Sequence, residues 1–310
     1  MDLNKARKIE LSDKDFFDTY FGKYPPQISE FTFTNLFAWQ NYYNNIFIEA
    51  ENHLLIFSKT FLKKWKKPKT NSDEVLFFLP PIGDMPHEIM LSLFEQMDIV
   101  EFHRVPENII SDLKDKANLD DLGIKIEEDR DNWDYVYDKQ ALEDLSGNKY
   151  RSKRRFLESF LEEYDYEFHL LSGEWIETCR KLQNKWCIIN ECQSNEDLEQ
   201  EQKAIDRLID NYAELGYNGG VLLVEDDPVA YTFGEMLNEN TTVIHIEKAH
   251  RHYNGSYQAI NHMFLENCCG EGTEYINREQ DLGVPGLRKA KQSYHPDHMV
   301  KKYIVYKEES

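Results

Sequence analysis

The chain has 310 residues, 41% apolar and 13% aromatic, which allows a substantial core and excludes global disorder. Its 57 acidic against 36 basic residues give a net charge of −21, arguing against broad non-specific binding to nucleic acid or anionic membrane. The five cysteines lack CxxC spacing, so neither a disulfide framework nor a zinc site is expected, and no apolar run of membrane-spanning or signal-peptide kind occurs, so a cytoplasmic protein is expected.

Ser12 is placed to cap a first helix, with Asp15 in the capping-box position. After Pro25-Pro26, the aromatic-rich stretch from Phe31 to Tyr43 reads as packing under a sheet. Ile46 to Phe57 reads as a hairpin turning at Glu51-Asn52. Lys63, Lys64, Lys66, Lys67 and Lys69 surround Trp65, as an exposed loop or as one that contacts an anion. Val75 to Leu79 is a short apolar run suited to a buried strand. Pro86 opens a helix with Ile89, Met90, Leu93, Phe94 and Met97 at helical spacing. A strand over Ile99–Val105, a helix over Pro106–Lys116 and a strand over Trp133–Tyr137 complete the first half.

Five basic residues, Lys149, Arg151, Lys153, Arg154 and Arg155, stand within seven positions at the start of a predicted helix, Arg151–Tyr164. A solvated face accounts for them, and so does an anion site. A strand at Tyr166–Leu171 and helices over Trp175–Ile189 and Glu196–Leu215 follow. Then the earlier order returns: a hairpin over Gly220–Phe233, a strand over Thr242–Glu247 and a helix over Gly255–Cys268. A strand at Glu274–Ile276, a short helix over Pro285–Ser293 and a final strand over Met299–Tyr306 close the chain. Hairpin, strand, helix, strand, helix, strand occurs twice, which predicts two copies of one α+β domain, residues 1–145 and 146–310.

Tyr275 to Pro296 is unlike the rest. From Arg278 to Lys302 there are six Lys/Arg and three Asp/Glu, a local excess of +3 in an acidic chain. Apolar residues are sparse there, while Asn277, Arg278, Asp281, Lys291 and Tyr294 supply donors, acceptors and charge. This is the composition of an active-site wall. His245, His250, His252, His262, His295 and His298 form no persuasive metal site, so no metal is expected.

The element order resembles the acyltransferase fold of the GNAT superfamily, in which the loop before a helix offers backbone N–H groups to a cofactor pyrophosphate. Here that junction is His250-Arg-His-Tyr-Asn-Gly-Ser256, where Gly255 would permit close approach and Arg251 would bind phosphate. His252 stands where that superfamily has Arg or Gln, and Tyr257 where a small residue is usual and where it would crowd a coenzyme A pyrophosphate. Pro80-Pro-Ile-Gly-Asp-Met-Pro86, the matching junction of the first copy, is poor in free N–H donors, so the site is expected in the second.

Asp134-Tyr-Val-Tyr137, the Ser146–Arg155 stretch, Ile246-Glu-Lys-Ala249, Asn277-Arg-Glu-Gln-Asp-Leu-Gly283 and Gly286-Leu-Arg-Lys-Ala-Lys-Gln-Ser-Tyr294 occur in this order. Together they resemble proteins similar to the C-terminal domain of phosphatidylglycerol lysyltransferases. The resemblance implies two tandem GNAT-like domains, each a mixed, mostly antiparallel sheet flanked by helices. It also implies transfer of an aminoacyl group from tRNA to an amine or hydroxyl acceptor, either a lipid headgroup or a small molecule. The basic patches at Lys63–Lys69 and Lys149–Arg155 would hold a tRNA acceptor stem.

Direct attack on an activated carbonyl needs a proton acceptor, stabilisation of the oxyanion and protonation of the leaving group. Glu247 and Asp281 are the candidate bases and Tyr294 the candidate acid. Lys248, Arg251, Gly255, Ser256, Asn277, Arg278 and Lys291 are the candidate donor-binding residues. Each has a plainer reading: Arg278 and Asp281 as an ion pair fixing a turn, Lys291 reaching to solvent, Tyr294 as a core aromatic. Glu247 and Lys248 must point to opposite faces if their strand is regular. Two other functions remain open: an acyl-CoA-dependent N-acetyltransferase acting on a small cationic amine, and a non-catalytic binding module. The co-substrate, aminoacyl-tRNA or acyl-CoA, would not be tightly bound.

Overall fold

The computed structural model describes residues 2–62, 68–70, 74–97 and 99–307. Among them the strands begin with β1 (Arg7–Lys8), β2 (Ile46–Ala50), β3 (His53–Ser58), β4 (Leu76–Phe78), β5 (Val100–Pro106), β6 (Ile124–Glu128) and β7 (Asp134–Asp138). They continue with β8 (Tyr166–Leu170), β9 (Asn218–Val224), β10 (Asp227–Met236), β11 (Thr241–Ala249), β12 (Tyr275–Asn277), β13 (His298–Val300) and β14 (Lys302–Lys307). One sheet has the order β1-β2-β3-β4-β5-β14-β6, the other β13-β7-β12-β11-β10-β9-β8.

The two sheets repeat one pattern. β4 pairs parallel to β5, and β11 parallel to β12, each over three residues, while the hairpins β2–β3 and β9–β10 are antiparallel. A parallel pair needs a crossover, and the helices Pro86–Gln96 and Ser256–Asn267 supply it. Contacts divide the chain into two compact units. The first is Met1–Asp134 with Gln280–Gly283 and Val300–Ser310, and the second is Tyr135–Glu279 with Val284–Met299. Each holds a mixed, mostly antiparallel sheet flanked by helices, the α+β class expected from the repeated element order.

Apolar pattern explains the packing. β3 is buried along its whole length, as its near-continuous apolar sequence requires of a central strand. In the first unit Met90, Leu93 and Phe94 of the Pro86–Gln96 helix pack on the sheet, where Phe102 lies 5.4 Å from Phe78 and 5.3 Å from Phe94, ring to ring. In the second, Ile260 and Phe264 of the Ser256–Asn267 helix cover β9 to β12.

The structure departs from expectation in four places. β6 was not foreseen, although Ile124 and Ile126 alternate with Lys125 and Glu127 as a half-buried strand should. The single last strand is two: β13 joins the second sheet, and β14 enters the first between β5 and β6. At the first helix the capping contact is Glu10 N–H to Asp13 (2.8 Å), with Asp13 buried against Arg7, so Ser12 and Asp15 do not form the box. Cys187 and Cys192 are disulfide-bonded, although the cysteine spacing indicated no disulfide framework. Glu191 takes a left-handed backbone (φ 53°) just past the helix Ile176–Ile189, and the turned chain brings the two Cα atoms within 5.0 Å.

Candidate active site

β11 runs to Ala249, but β12 stops at Asn277, so their pairing ends at Val243 and Asn277. Beyond that point β11 has lost its neighbour on this edge, and side chains from the segment after β12 reach back to it. Arg278 Nη2 donates to Glu247 Oε1 at 2.6 Å, and Glu279 Oε1 lies 2.8 Å from His245 Nδ1. His245 and Glu247 are two residues apart on one face of the strand. A register shift at Phe233/Gly234 accompanies the approach of Glu235, whose Oε1 lies 2.9 Å from His245 Nε2.

The crossover helix completes the cluster. Asn261 Nδ2 donates to Glu247 Oε2 at 2.9 Å, so both carboxylate oxygens are engaged. Gln258, three residues earlier on the same helix face, donates to the Tyr294 hydroxyl at 3.2 Å. The Arg278 guanidinium stands 4.8 Å from the Tyr294 ring centre and 5.8 Å from that of Tyr137. Lys291, on the helix Pro285–Gln292, donates its ammonium to the Arg278 carbonyl, and its own carbonyl accepts from Tyr137 Oη at 2.8 Å. Lys153 places its ammonium 4.2 Å from the centre of the same Tyr294 ring.

Electrostatics follow from burial and neighbours. Burial works against the charge of Arg278, but Glu247, Tyr137 and Tyr294 outweigh it and its pKa is raised. Burial raises the pKa of Tyr294, which therefore stays a phenol and keeps a proton to give. Burial and then the charge of Arg278 lower the pKa of Lys153. Burial alone would lower that of His245, yet its bonds to Glu235 and Glu279 lift it to about 10, so it stays an imidazolium between two carboxylates. Nη1 of Arg278 is buried with no hydrogen-bond partner. The arrangement can accept a proton at Glu247, donate one from Tyr294 and offer positive charge from Arg278.

Of the predicted site residues, Glu247, Arg278, Lys291 and Tyr294 come together. The others stand elsewhere. Asp281 belongs to the first unit, fully buried, where it pairs with Arg130 (3.1 Å) and accepts from the Gly283 N–H (2.9 Å); it is no partner of Arg278. Asn277 caps its own turn by accepting from the Glu279 N–H at 2.8 Å. Lys248 points to the opposite sheet face, bonded to Glu201 at 2.6 Å with Trp186 beneath it at 3.9 Å. Arg251 is exposed in its loop, and Ser256 Oγ donates to the His250 carbonyl. Gly255 does allow close approach (φ 85°), but to the protein's own helix: a Cβ there would lie 2.1 Å from the Phe156 carbonyl oxygen. Gln258, Asn261 and the His245 bridge were not foreseen. Their signals were present: a buried amide on an apolar helix face, and two ionisable residues at a spacing of two on a strand.

The two basic stretches of the second unit converge. His295 donates from Nε2 to the Lys149 carbonyl at 3.1 Å, its ring meets that of Tyr150 edge-on, and Lys153 reaches Tyr294. Lys149 and Lys153 thus meet the segment that follows the basic helix Pro285–Gln292, which buries none of its residues, whereas Arg155, two positions on from Lys153, projects from another face of its helix beside Glu158, Glu162 and Glu163. Of the other patch, residues 63–67 lie outside the described residues; Lys69 is neutralised by Glu127 at 2.5 Å. Among the described residues no group of three or more His, Cys, Asp or Glu is disposed to hold a metal, and no helix is long and apolar enough to cross a membrane.

Comparison with known proteins gives these features a setting. A conserved protein of unknown function from Bacteroides thetaiotaomicron VPI-5482 is 31% identical, with a TM-score of 0.86 over 97% of this chain and 98% of that one. L-PGS from Bacillus licheniformis shares the fold at 16% identity (TM-score 0.61, 95% and 92% covered), as does FemX at 11% (0.57, 97% of each). An uncharacterised protein of Mycoplasmoides gallisepticum, MYCGA3080, is 25% identical over 203 residues, 60% of this chain and 64% of its own length. Residues 21–306 match the family described as "Phosphatidylglycerol lysyltransferase, C-terminal". With that match spanning nearly the whole chain and the two sheets repeating one GNAT-like pattern, the protein belongs to the phosphatidylglycerol lysyltransferase C-terminal family.

Proposed function

We propose that the second unit transfers an aminoacyl group from an aminoacyl-tRNA to an amine or hydroxyl acceptor, a lipid headgroup of the phosphatidylglycerol kind being the acceptor that the family's name favours. The observation that carries this reading is the Glu247–Arg278 pair under Tyr294, with the Lys153 ammonium over the same ring. The acceptor's nitrogen or oxygen attacks the ester carbonyl, and its proton passes to Glu247, held in place by Asn261. The oxyanion faces Nη1 of Arg278. Its collapse breaks the bond to the ribose oxygen, which leaves with the Tyr294 proton; transfer from Glu247 restores the phenol. Acyl-CoA is the weaker donor, because the close approach at Gly255 is already taken by Phe156.

The test is transfer of radiolabelled amino acid from a charged tRNA mixture to extracted lipid or free amines, with acetyl-CoA as the competing donor. Glu247→Gln should lower turnover at least about a hundredfold and Tyr294→Phe about tenfold, both with unchanged circular dichroism. Transfer that survives both substitutions intact sinks the mechanism, and turnover of acetyl-CoA alone sinks the choice of donor.

A further inference from the structure

Lysines elsewhere in the protein keep their charge beside acids. The ammonium groups of Lys139, Lys203, Lys248 and Lys301 each lie within 2.8 Å of a Glu oxygen. Lys153 is placed differently. Its side chain is half-buried, and its ammonium faces the Tyr294 ring, 4.2 Å from the centre. Among the described residues no carboxylate pairs with it. Three and four positions away in the chain stand Lys149, Tyr150, Phe156 and Leu157, so its own helix offers no acid at pairing distance. The other charged group at this ring is the Arg278 guanidinium, 4.8 Å from the same centre and paired with Glu247 at 2.6 Å.

A ring face favours a cation, whereas partial burial and a second cation at that ring favour the neutral amine. Of the two cations, the guanidinium does not give up its proton in a protein, so the amine yields. Burial first, and the Arg278 charge second, hold the Lys153 pKa below its ordinary value. Desolvation beside another cation is what turns a lysine into a nucleophile. We infer that Lys153 is a nucleophilic amine and a site of acylation by small activated donors of the acyl phosphate class. The nitrogen adds to the acyl carbon, the bond from that carbon to the bridging oxygen breaks, and phosphate leaves with the electron pair. The nitrogen then loses its surplus proton to solvent, and an amide remains. The amide is uncharged, so acylation takes one of the two cations away from the Tyr294 ring. The effect of that loss on turnover rests on the transfer reading; the reactivity of Lys153 does not.

Competitive labelling of the full chain with acetyl phosphate tests it, peptide mass spectrometry reading each lysine between about pH 6 and 10.5. Lys153 should acylate at least about threefold faster than Lys203 at neutral pH, and its rate should level off at a lower pH. Lys203 is the control, because it is exposed and Glu199 holds its charge at 2.6 Å. Labelling of Lys153 no faster than that of Lys203, or with the same pH profile, overturns the inference. These readings use the wild-type protein, so no substitution puts the fold at risk. The consequence is read on transfer: treated wild type should lose activity at least about fivefold, at the rate at which Lys153 is modified. Lys153→Arg keeps a cation that acetyl phosphate does not acylate, and should lose none of its own activity under the same treatment. Equal inactivation of Lys153→Arg and wild type would overturn that consequence. Fast labelling of Lys153 in a chain without transfer activity sinks the transferase reading alone; intact transfer with Lys153 unlabelled sinks the inference alone.

Discussion

The two parallel-strand openings share a topology and differ in how their charges are matched. Past Phe102, β5 of the first unit carries Arg104, whose backbone is left-handed (φ 63°) where β14 shifts register. Its guanidinium meets Glu30 at 3.0 Å and Asp129 at 2.6 Å, and Lys302 lies between Glu30 at 2.6 Å and Asp134 at 2.7 Å. Gln280 and Ser29 add hydrogen bonds to Asp134. Two cations therefore face three carboxylates, all deeply buried. Past Asn277 in the second unit, Arg278 pairs with Glu247, Lys291 donates to the Arg278 carbonyl, and Lys153 lies against the Tyr294 ring with no carboxylate paired to it among the described residues. A network that is saturated from within has nothing left for a ligand. In the second unit Lys153 meets an aromatic ring instead of a carboxylate, and this is why one copy of the fold reads as scaffold and the other as site.

The strongest way to break that comparison is to damage the saturated copy. Lys302→Met leaves Glu30 and Asp134 facing each other without their cation and should cost about 3–5 kcal/mol of stability. Urea unfolding measures it, and a loss under about 1 kcal/mol would mean that the first unit's network is not structural.

In the second unit the bridge at His245 carries a pH signature. The folded pKa is raised to about 10 from an ordinary 6.5, so its contribution to stability is complete below pH 6.5 and disappears as the pH climbs through 10. Over that window the difference is on the order of a few kcal/mol. Urea midpoints between pH 6 and 10.5 should fall more steeply in wild type than in His245→Gln. Parallel profiles would show that the imidazolium is not held by Glu235 and Glu279.

The smallest effect concerns the Cys187–Cys192 loop. Reduction should lower stability by about 2 kcal/mol or less, since the disulfide closes only a short loop. Thiol titration in denaturant should count three free cysteines before reduction and five after it. Five before reduction would mean that the bond is absent in solution.

Much of the fold could be read along the chain. The Pro86–Gln96 and Ser256–Asn267 helices and the hairpins are coded by apolar periods of 3.6 and 2, which are local. β6 escaped because a five-residue alternation is weak against its acidic surroundings. At the site, Glu247, Arg278, Lys291 and Tyr294 stood out by type and crowding. Asp281 was as conspicuous in the sequence, but its partner Arg130 is 151 positions away, and nothing local reveals that pairing.

By itself, then, the sequence determined the repeated element order, the family likeness and the concentration of polar groups between Asn277 and Tyr294. Those features depend on local pattern and composition. Only the tertiary structure decided which charges meet. β12 ends after three residues while β11 runs on, so Arg278 meets Glu247, while Asp281 pairs with Arg130 and Lys153 lies over Tyr294. Ion pairing falls off over a few ångströms, so it depends on where distant segments are placed, which no residue reveals to its neighbours in the chain.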